Sequence, residues 1–178
     1  MKADIVYTFE KIYTKESDAI FRFCLVRVSS REQALDIMQE TFLRLWQSMS
    51  QDKDILNSRA FLFTVAHRLI IDWYRKKKSF SLDKIMDIDQ ENEYNLPDTM
   101  VESNPEFGAE GRYLLNKLND LAPSYQHPVY LRFVEGLSPG EIGDILGITT
   151  NAASVRVNRG LLELRKKTGY DNKENNKN

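Results

Sequence analysis

Leu137–Lys167, LSPGEIGDILGITTNAASVRVNRGLLELRKK, spells two helices joined by a tight turn. Ser138, Pro139 and Glu141 stand as N-cap, first helical residue and N3 of a capping box, and Gly147 stands where a helix needs a left-handed stop. The first helix is therefore short. Thr149 or Thr150 can cap a second helix, which gathers Ala153, Val157, Leu161 and Leu164 on one side. Its other side carries Asn151, Val155, Asn158 and Arg159, with Ser154 and Arg156 on the flanks. Amide, hydroxyl and guanidinium groups on the second helix are what a helix-turn-helix offers to a DNA groove. A helical hairpin in a core, with its arginines as a solvated face, would carry the same letters, so the decision has to come from the rest of the chain.

That chain is 178 residues long, 42% hydrophobic and poor in glycine and proline, which favours helices in one domain or two small ones. A net charge of -1 conceals segregation. Cations gather at Arg75–Lys78 and Arg156–Lys167, while residues 79–110 hold nine Asp and Glu against Lys84 alone. Near-neutrality therefore does not argue against nucleic acid as a partner. Cys24 is the single cysteine, so no intramolecular disulfide can form, and the two histidines, His67 and His127, lack zinc-ligand spacing. No metal or other cofactor is expected. The opening MKADIVYTFEKIY lacks an apolar signal core, and no run approaches the roughly 20 apolar residues of a membrane span, so no membrane insertion and a cytoplasmic location are expected.

Residues 5–78 repeat apolar positions at helical spacing and are expected to form a first domain of three or more helices. Ile20, Phe21, Cys24, Leu25 and Val28 make one stripe; Glu32–Ser48 carries Ala34, Ile37, Met38, Thr41, Phe42, Leu45 and Trp46 on a wide face; Arg59–Lys78 turns Leu62, Val65, Ala66, Leu69, Ile70 and Trp73 inward. Residues 79–110 show no sustained period and read as an acidic linker. A second domain over 111–168 begins near Tyr113 with Leu114, Leu115, Leu118 and Leu121, stops at Pro123, restarts from Ser124 and ends in the helix-turn-helix; 169–178 is a polar tail. Pro128 is tolerable in the restarted helix only within its first turn, where its missing N–H would be unsatisfied anyway.

Two further faces carry chemistry. Opposite the inward stripe of Arg59–Lys78 lie Phe61, Thr64, His67, Arg68, Ile71, Tyr74 and Arg75, then Lys76, Lys77 and Lys78. Rings and cations together suit single-stranded nucleic acid, although basic residues at a helix C-terminus also serve the macrodipole. The band of Glu32–Ser48 is wider than a three-helix core needs, which leaves Leu43 or Trp46 partly exposed beside Asp36, Gln39, Glu40 and Arg44. An apolar patch with a polar rim fits a protein partner; a Trp46 anchoring the core is the competing reading.

ALDIMQETFLRLWQ, FLFTVAHRLIIDWYRKKK and SPGEIGDILGITTNAASVRVNRGLLELRKK, in that order across an acidic linker, resemble conserved regions two and four of the extracytoplasmic-function (ECF) sigma factors of bacterial RNA polymerase. The resemblance implies an all-α, two-domain initiation subunit that recruits core polymerase to promoters and helps open the DNA. It implies that Asp36, Gln39, Glu40, Phe42, Leu43 and Trp46 dock on the polymerase. It places Ser50–Ser58, with Arg59, Phe61, His67, Arg68, Arg75, Lys76 and Lys77, on the non-template strand of the −10 element, including a base taken out of the stack. It places Thr150, Asn151, Ser154, Val155, Arg156, Asn158 and Arg159 on the −35 duplex, threads the acidic linker toward the RNA exit channel, and brings an anti-sigma factor into view as a further partner. The chain departs from the family pattern at Phe61, often Trp, at Arg68, often Asn, and at Gly143, usually Ala; the glycine is expected to cost its helix about 1 kcal/mol. Small Ala152 and Ala153 leave few base-reading groups. A stand-alone helix-turn-helix regulator and a sigma antagonist are the rival readings. Enzyme activity is not expected, since the chain has no phosphate-cradling glycine loop and His67 has no recognisable acid partner.

Overall fold

The computed structural model describes residues 2–28, 30–79, 113, 116–118 and 120–168, with backbone alone at 2–3, 77–79 and 123. Six helices have described bounds, a further helical stretch includes Tyr113 and residues 116–118, and no strand is found among the described residues. They fall into two units divided between Asp87 and Ile88.

The first unit holds α1 (Lys2–Leu25), α2 (Arg31–Ser50) and α3 (Ser58–Ser79), each packed on the other two. The stripes read from the sequence meet here. Ile20, Phe23, Cys24 and Val28 of the first segment, Ala34 and Leu45 of α2, and Leu62, Phe63 and Ala66 of α3 are fully buried. Phe23 and Phe63 meet edge to face with centroids 5.0 Å apart, and truncating either to alanine would cost about 3–5 kcal/mol. Ser30 caps α2 by accepting from the Gln33 N–H at 3.4 Å, and the Asn57 side chain caps α3 by accepting from the Ala60 N–H at 3.0 Å. Between them α2 ends in a Schellman motif. The Asp52 N–H donates to the Met49 carbonyl and the Lys53 N–H to that of Ser48, both at 3.1 Å. Asp52 takes the left-handed position at φ 51°, a place that glycine fills more easily.

The second unit holds α4 (Pro123–Phe133), α5 (Pro139–Leu146) and α6 (Thr150–Thr168). Both halves of the expected capping box form, with the Glu141 N–H donating to Ser138 Oγ at 3.3 Å and the Ser138 N–H to the Glu141 carboxylate at 2.8 Å. Gly147 is left-handed, at φ 68°. Thr149 is the cap of α6, its Oγ1 accepting from the Ala152 N–H at 3.1 Å. Ala153, Val157 and Gly160 face inward.

The expected break before Pro123 is present: a helical stretch that includes residues 116–118 gives way to a turn over 120–122, and α4 opens at Pro123, one residue before the expected restart. Pro128 departs from expectation, lying inside α4 as the sixth residue, beyond the first turn. The helix continues through Pro128 because that residue, with Val129, Tyr130 and Leu131 after it, is buried; packing outweighs the roughly 3 kcal/mol that an interior proline costs. Leu114 and Leu115, the linker 79–110 apart from Ser79, and the tail 169–178 lie outside the described residues.

Gly143 also departs from expectation. A β-carbon there would stand 2.7 Å from the Ile148 carbonyl oxygen and 3.3 Å from the Thr149 carbon and the Thr150 nitrogen. The glycine lets the turn fold back on α5, where the Ile148 N–H donates to the Gly143 carbonyl at 2.9 Å. Gly143→Ala should therefore destabilise the second unit by about 1–3 kcal/mol through overpacking, despite a helix-propensity gain of about 1 kcal/mol. Chemical denaturation of the full chain, followed by a probe in the second unit, checks the sign.

Candidate nucleic-acid interface and protein-docking face

Burial of Ala153, Val157 and Gly160 fixes the roll of α6. A β-carbon on Gly160 would come within 2.6 Å of Val129 Cγ2 and 3.0 Å of Tyr125 Cβ, so α6 and α4 approach closely. The opposite face is turned outward as the sequence spacing requires. Thr150, Asn151, Val155, Asn158 and Arg159 are exposed, and Ser154 and Arg156 are half-buried on the flanks. The result is a contiguous strip of amides, hydroxyls, one branched aliphatic side chain and guanidinium groups on a convex helix, as groove recognition requires.

The outward face of α3 is thinner than its sequence suggests. Arg68, Arg75 and Lys76 are exposed, and Phe61 and Thr64 are half-buried; the Thr64 hydroxyl donates back to the Ala60 carbonyl at 2.8 Å. Lys77 lies in the helix, but its side chain is outside those described. His67, expected to face outward, is buried. Because α3 packs on both α1 and α2, its apolar arc is wider than a single stripe and takes in His67. Burial, with help from the Arg27 and Arg68 charges, pushes the imidazole pKa down from 6.5 to about 4, so the ring is neutral near pH 7 and brings no charge to a phosphate.

Arg59 and Tyr74 are likewise drawn into the fold. The Tyr74 hydroxyl donates to the Arg27 carbonyl. Arg59 forms an ion pair with Glu16 of α1 and sits 5.2 Å from the centroid of the Phe63 ring. The Glu16 side chain is only 3% exposed, so this is an ion pair with one partner inside. Beside it, buried Arg27 donates to the Phe23 carbonyl at 2.8 Å and lies 3.7 Å from that residue's ring centroid.

On α2, Asp36, Gln39, Leu43 and Arg44 are exposed and Glu40 is half-buried, with Arg44 Nε 2.8 Å from the Glu40 carboxylate. Leu43 is 48% exposed. Trp46 is half-buried, its ring edge-on to Phe9 at 5.2 Å. Phe42 does not belong to this outer face. It is buried between α1 and α2, against Tyr13 at 4.8 Å and Phe9 at 6.3 Å. It supports the surface from beneath.

The structure adds a cleft that the sequence did not disclose. Its volume is about 670 Å³, with Ile5, Ile12, Leu45, Met49 and Ile55 along its floor and Asp4, Asp52 and Asp54 among its polar groups. The α2–α3 loop forms one wall, and Leu56 on that loop is 94% exposed. A leucine inside the polar run SQDKDILNS was the available signal. Its position over a cleft depends on the Asp52 cap, which spacing does not reveal.

Two helical units, one of them ending in a helix-turn-helix with an outward polar face, define a helical DNA-binding protein. The sigma-70 region 2 family matches residues 12–80, and the sigma-70 region 4 family matches residues 111–164. Among curated relatives, the RNA polymerase sigma factor YlaC of Bacillus subtilis is 25% identical over 161 residues, spanning 89% of this chain and 91% of its own. The ECF sigma factor BldN of Streptomyces coelicolor is 30% identical over 147 residues, spanning 78% of this chain and 52% of its own. Among solved structures, the sigma factor RpoE of Bartonella quintana, crystallised in complex with the anti-sigma factor NepR, shares the fold at TM-score 0.66 and 19% identity, over 89% of this chain and 95% of that one. The chain belongs to the ECF sigma factors of the sigma-70 family, and its function is promoter-specific initiation of transcription. No described helix is long and apolar enough to cross a membrane.

Two outcomes follow from the buried polar groups. Arg59→Met leaves the Glu16 carboxylate buried with its main partner gone and should cost about 3 kcal/mol, whereas Glu16→Leu with Arg59→Met should be close to neutral; a double-mutant cycle by denaturation measures both. For His67, the folded chain holds the ring neutral down to about pH 4, while the ordinary value is 6.5. Its contribution is complete above about pH 6.5 and is lost as pH falls toward 4, by up to about 3 kcal/mol. Stability measured between pH 7 and 4 should fall less steeply in His67→Asn than in the parent chain.

Proposed function

We propose that the outer face of α6, from Thr150 to Arg159, reads the −35 duplex in the major groove. The observation that carries this reading is the exposure of Asn151, Val155, Asn158 and Arg159 along one strip of a helix whose other side is sealed against α4 and α5. Arg156 and Arg159 meet phosphate or guanine, and Thr150 and Ser154 lie where a hydroxyl can contact the backbone.

In the first unit, Arg68, Arg75 and Lys76, with Lys77 beyond them, hold the non-template strand of the −10 element, and Phe61 offers a ring for stacking. The loop from Gln51 to Asn57, with Leu56 at its surface and the cleft beneath, receives a base taken out of the stack. Arg59, His67 and Phe42 act from within, fixing the helices that carry these groups. The partly apolar strip of Asp36, Gln39, Glu40, Leu43 and Trp46 docks on core polymerase, and an anti-sigma factor competes for that strip, as a protein with such a partner is among the solved structures sharing this fold. The acidic linker follows the path of nascent RNA. The protein works in the cytoplasm, without a cofactor or metal, by binding and not by covalent catalysis.

The assay that tests the whole reading is transcription by bacterial core polymerase from randomised promoters, with and without this chain. Protein-dependent transcripts sharing two spaced upstream elements support it; duplex binding without any effect on polymerase refutes it. Leu43→Asp should abolish association with core polymerase while leaving the circular-dichroism spectrum and melting temperature near those of the parent chain. Arg159→Ala should weaken holoenzyme binding to the −35 duplex and lower the salt slope by about one counterion per lost phosphate contact. An unchanged slope would place Arg159 on a solvated face.

A further inference from the structure

Val155 is an apolar side chain left 38% exposed in the middle of the polar strip of α6. Exposed Asn151 lies one turn before it and exposed Asn158 one turn after it, with exposed Arg159 beside them. Phosphate contact does not account for a valine here, because a branched aliphatic group neither donates nor accepts a hydrogen bond. The inward stripe of Ala153, Val157 and Gly160 already supplies the packing face of the helix.

At a rise of about 1.5 Å per residue, positions 151 to 158 span roughly 10 Å along the helix axis, the length of about three stacked base pairs. Polar edges of guanine, cytosine or adenine set against Val155 would lose water and gain no hydrogen bond, which is unfavourable. The major-groove surface of the four bases presents one apolar group, the C5 methyl of thymine. The flanking amides have the complementary preference, since an asparagine side chain matches N6 and N7 of adenine. We infer that Val155 reads a thymine methyl within the −35 duplex, with Asn151 and Asn158 favouring adenine at neighbouring positions, so that the element selected by this chain contains A·T pairs beneath the centre of the strip. The inference rests on α6 being the −35 reader.

The experiment uses holoenzyme assembled from core polymerase and the full chain. The −35 sequence is first selected from a randomised duplex pool, and each of its thymines is then replaced singly by deoxyuridine, which removes the C5 methyl and leaves the pairing edge intact. At one position deoxyuridine should weaken binding by about fourfold, the worth of one buried methyl. Val155→Ala should show a comparable loss on unmodified DNA and no further response to deoxyuridine there, while Val155→Thr, which keeps a methyl group, should still respond. A selected element without thymine, deoxyuridine without effect at every position, or an undiminished response in Val155→Ala would overturn the inference. Arg159→Ala and Asn151→Ala separate the two levels. If both variants bind the selected −35 duplex as tightly as the parent chain does, α6 is not the reader; if they lose −35 binding while deoxyuridine is silent, the assignment of Val155 alone fails.

Discussion

The distance of closest approach between helix backbones sets the character of the second unit. At Gly160 the α6 backbone comes so near to α4 that one added carbon would overlap Val129, and at Gly143 the turn comes equally near to α5. Those approaches hold α6 tightly by its inner side. A helix gripped in this way cannot roll, so Asn151, Val155, Asn158 and Arg159 face outward without depending on one another. The outward strip is thus a by-product of packing on the reverse side of the same helix.

The first unit solves a different problem, because it keeps charge inside. Glu16, Arg27 and His67 are all buried among its three helices. The ion pair from Glu16 to Arg59, the stacking of Arg27 on Phe23 and the neutrality of His67 make this tolerable. The polar groups tie α3 to α1 at more than one level, and direction comes with the tie, since each hydrogen bond or ion pair sets one particular donor against one particular acceptor. Cys24 lies in the same layer; burial raises its thiol pKa to about 12, so it remains an uncharged packing group.

Much of this was legible in the letters of the chain. The capping box at Ser138 and Glu141, the left-handed Gly147 and the inward Ala153 and Val157 were all fixed by local rules of helix termini and period, and they form as read. Exposed Leu43 and half-buried Trp46 follow from a band wider than one neighbour can cover. What period could not resolve was how many neighbours a helix has. His67 and Tyr74 were assigned to the outer face of α3 on a one-sided picture, and each is taken up by a second packing partner; Phe42 lies buried in the band where spacing put it, and only the resemblance had placed it on the docking face. Pro128 and Gly143 failed for a related reason: propensity counts what a residue does to its own helix, while their places are set by burial and by a backbone from elsewhere. The long-range pair from Glu16 to Arg59 joins residues far apart in sequence and leaves no local signature.

The α2–α3 loop is anchored at both ends by devices that do not involve its central residues. Asp52 and Lys53 close one end through main-chain bonds, and Asn57 closes the other through its side chain. Asp54, Ile55 and Leu56 therefore carry little responsibility for the helices on either side. Such a loop is free to diverge: after gene duplication, its inner residues can be exchanged while both helices keep their ends, so that copies of one ancestral fold can come to differ here at little cost in stability.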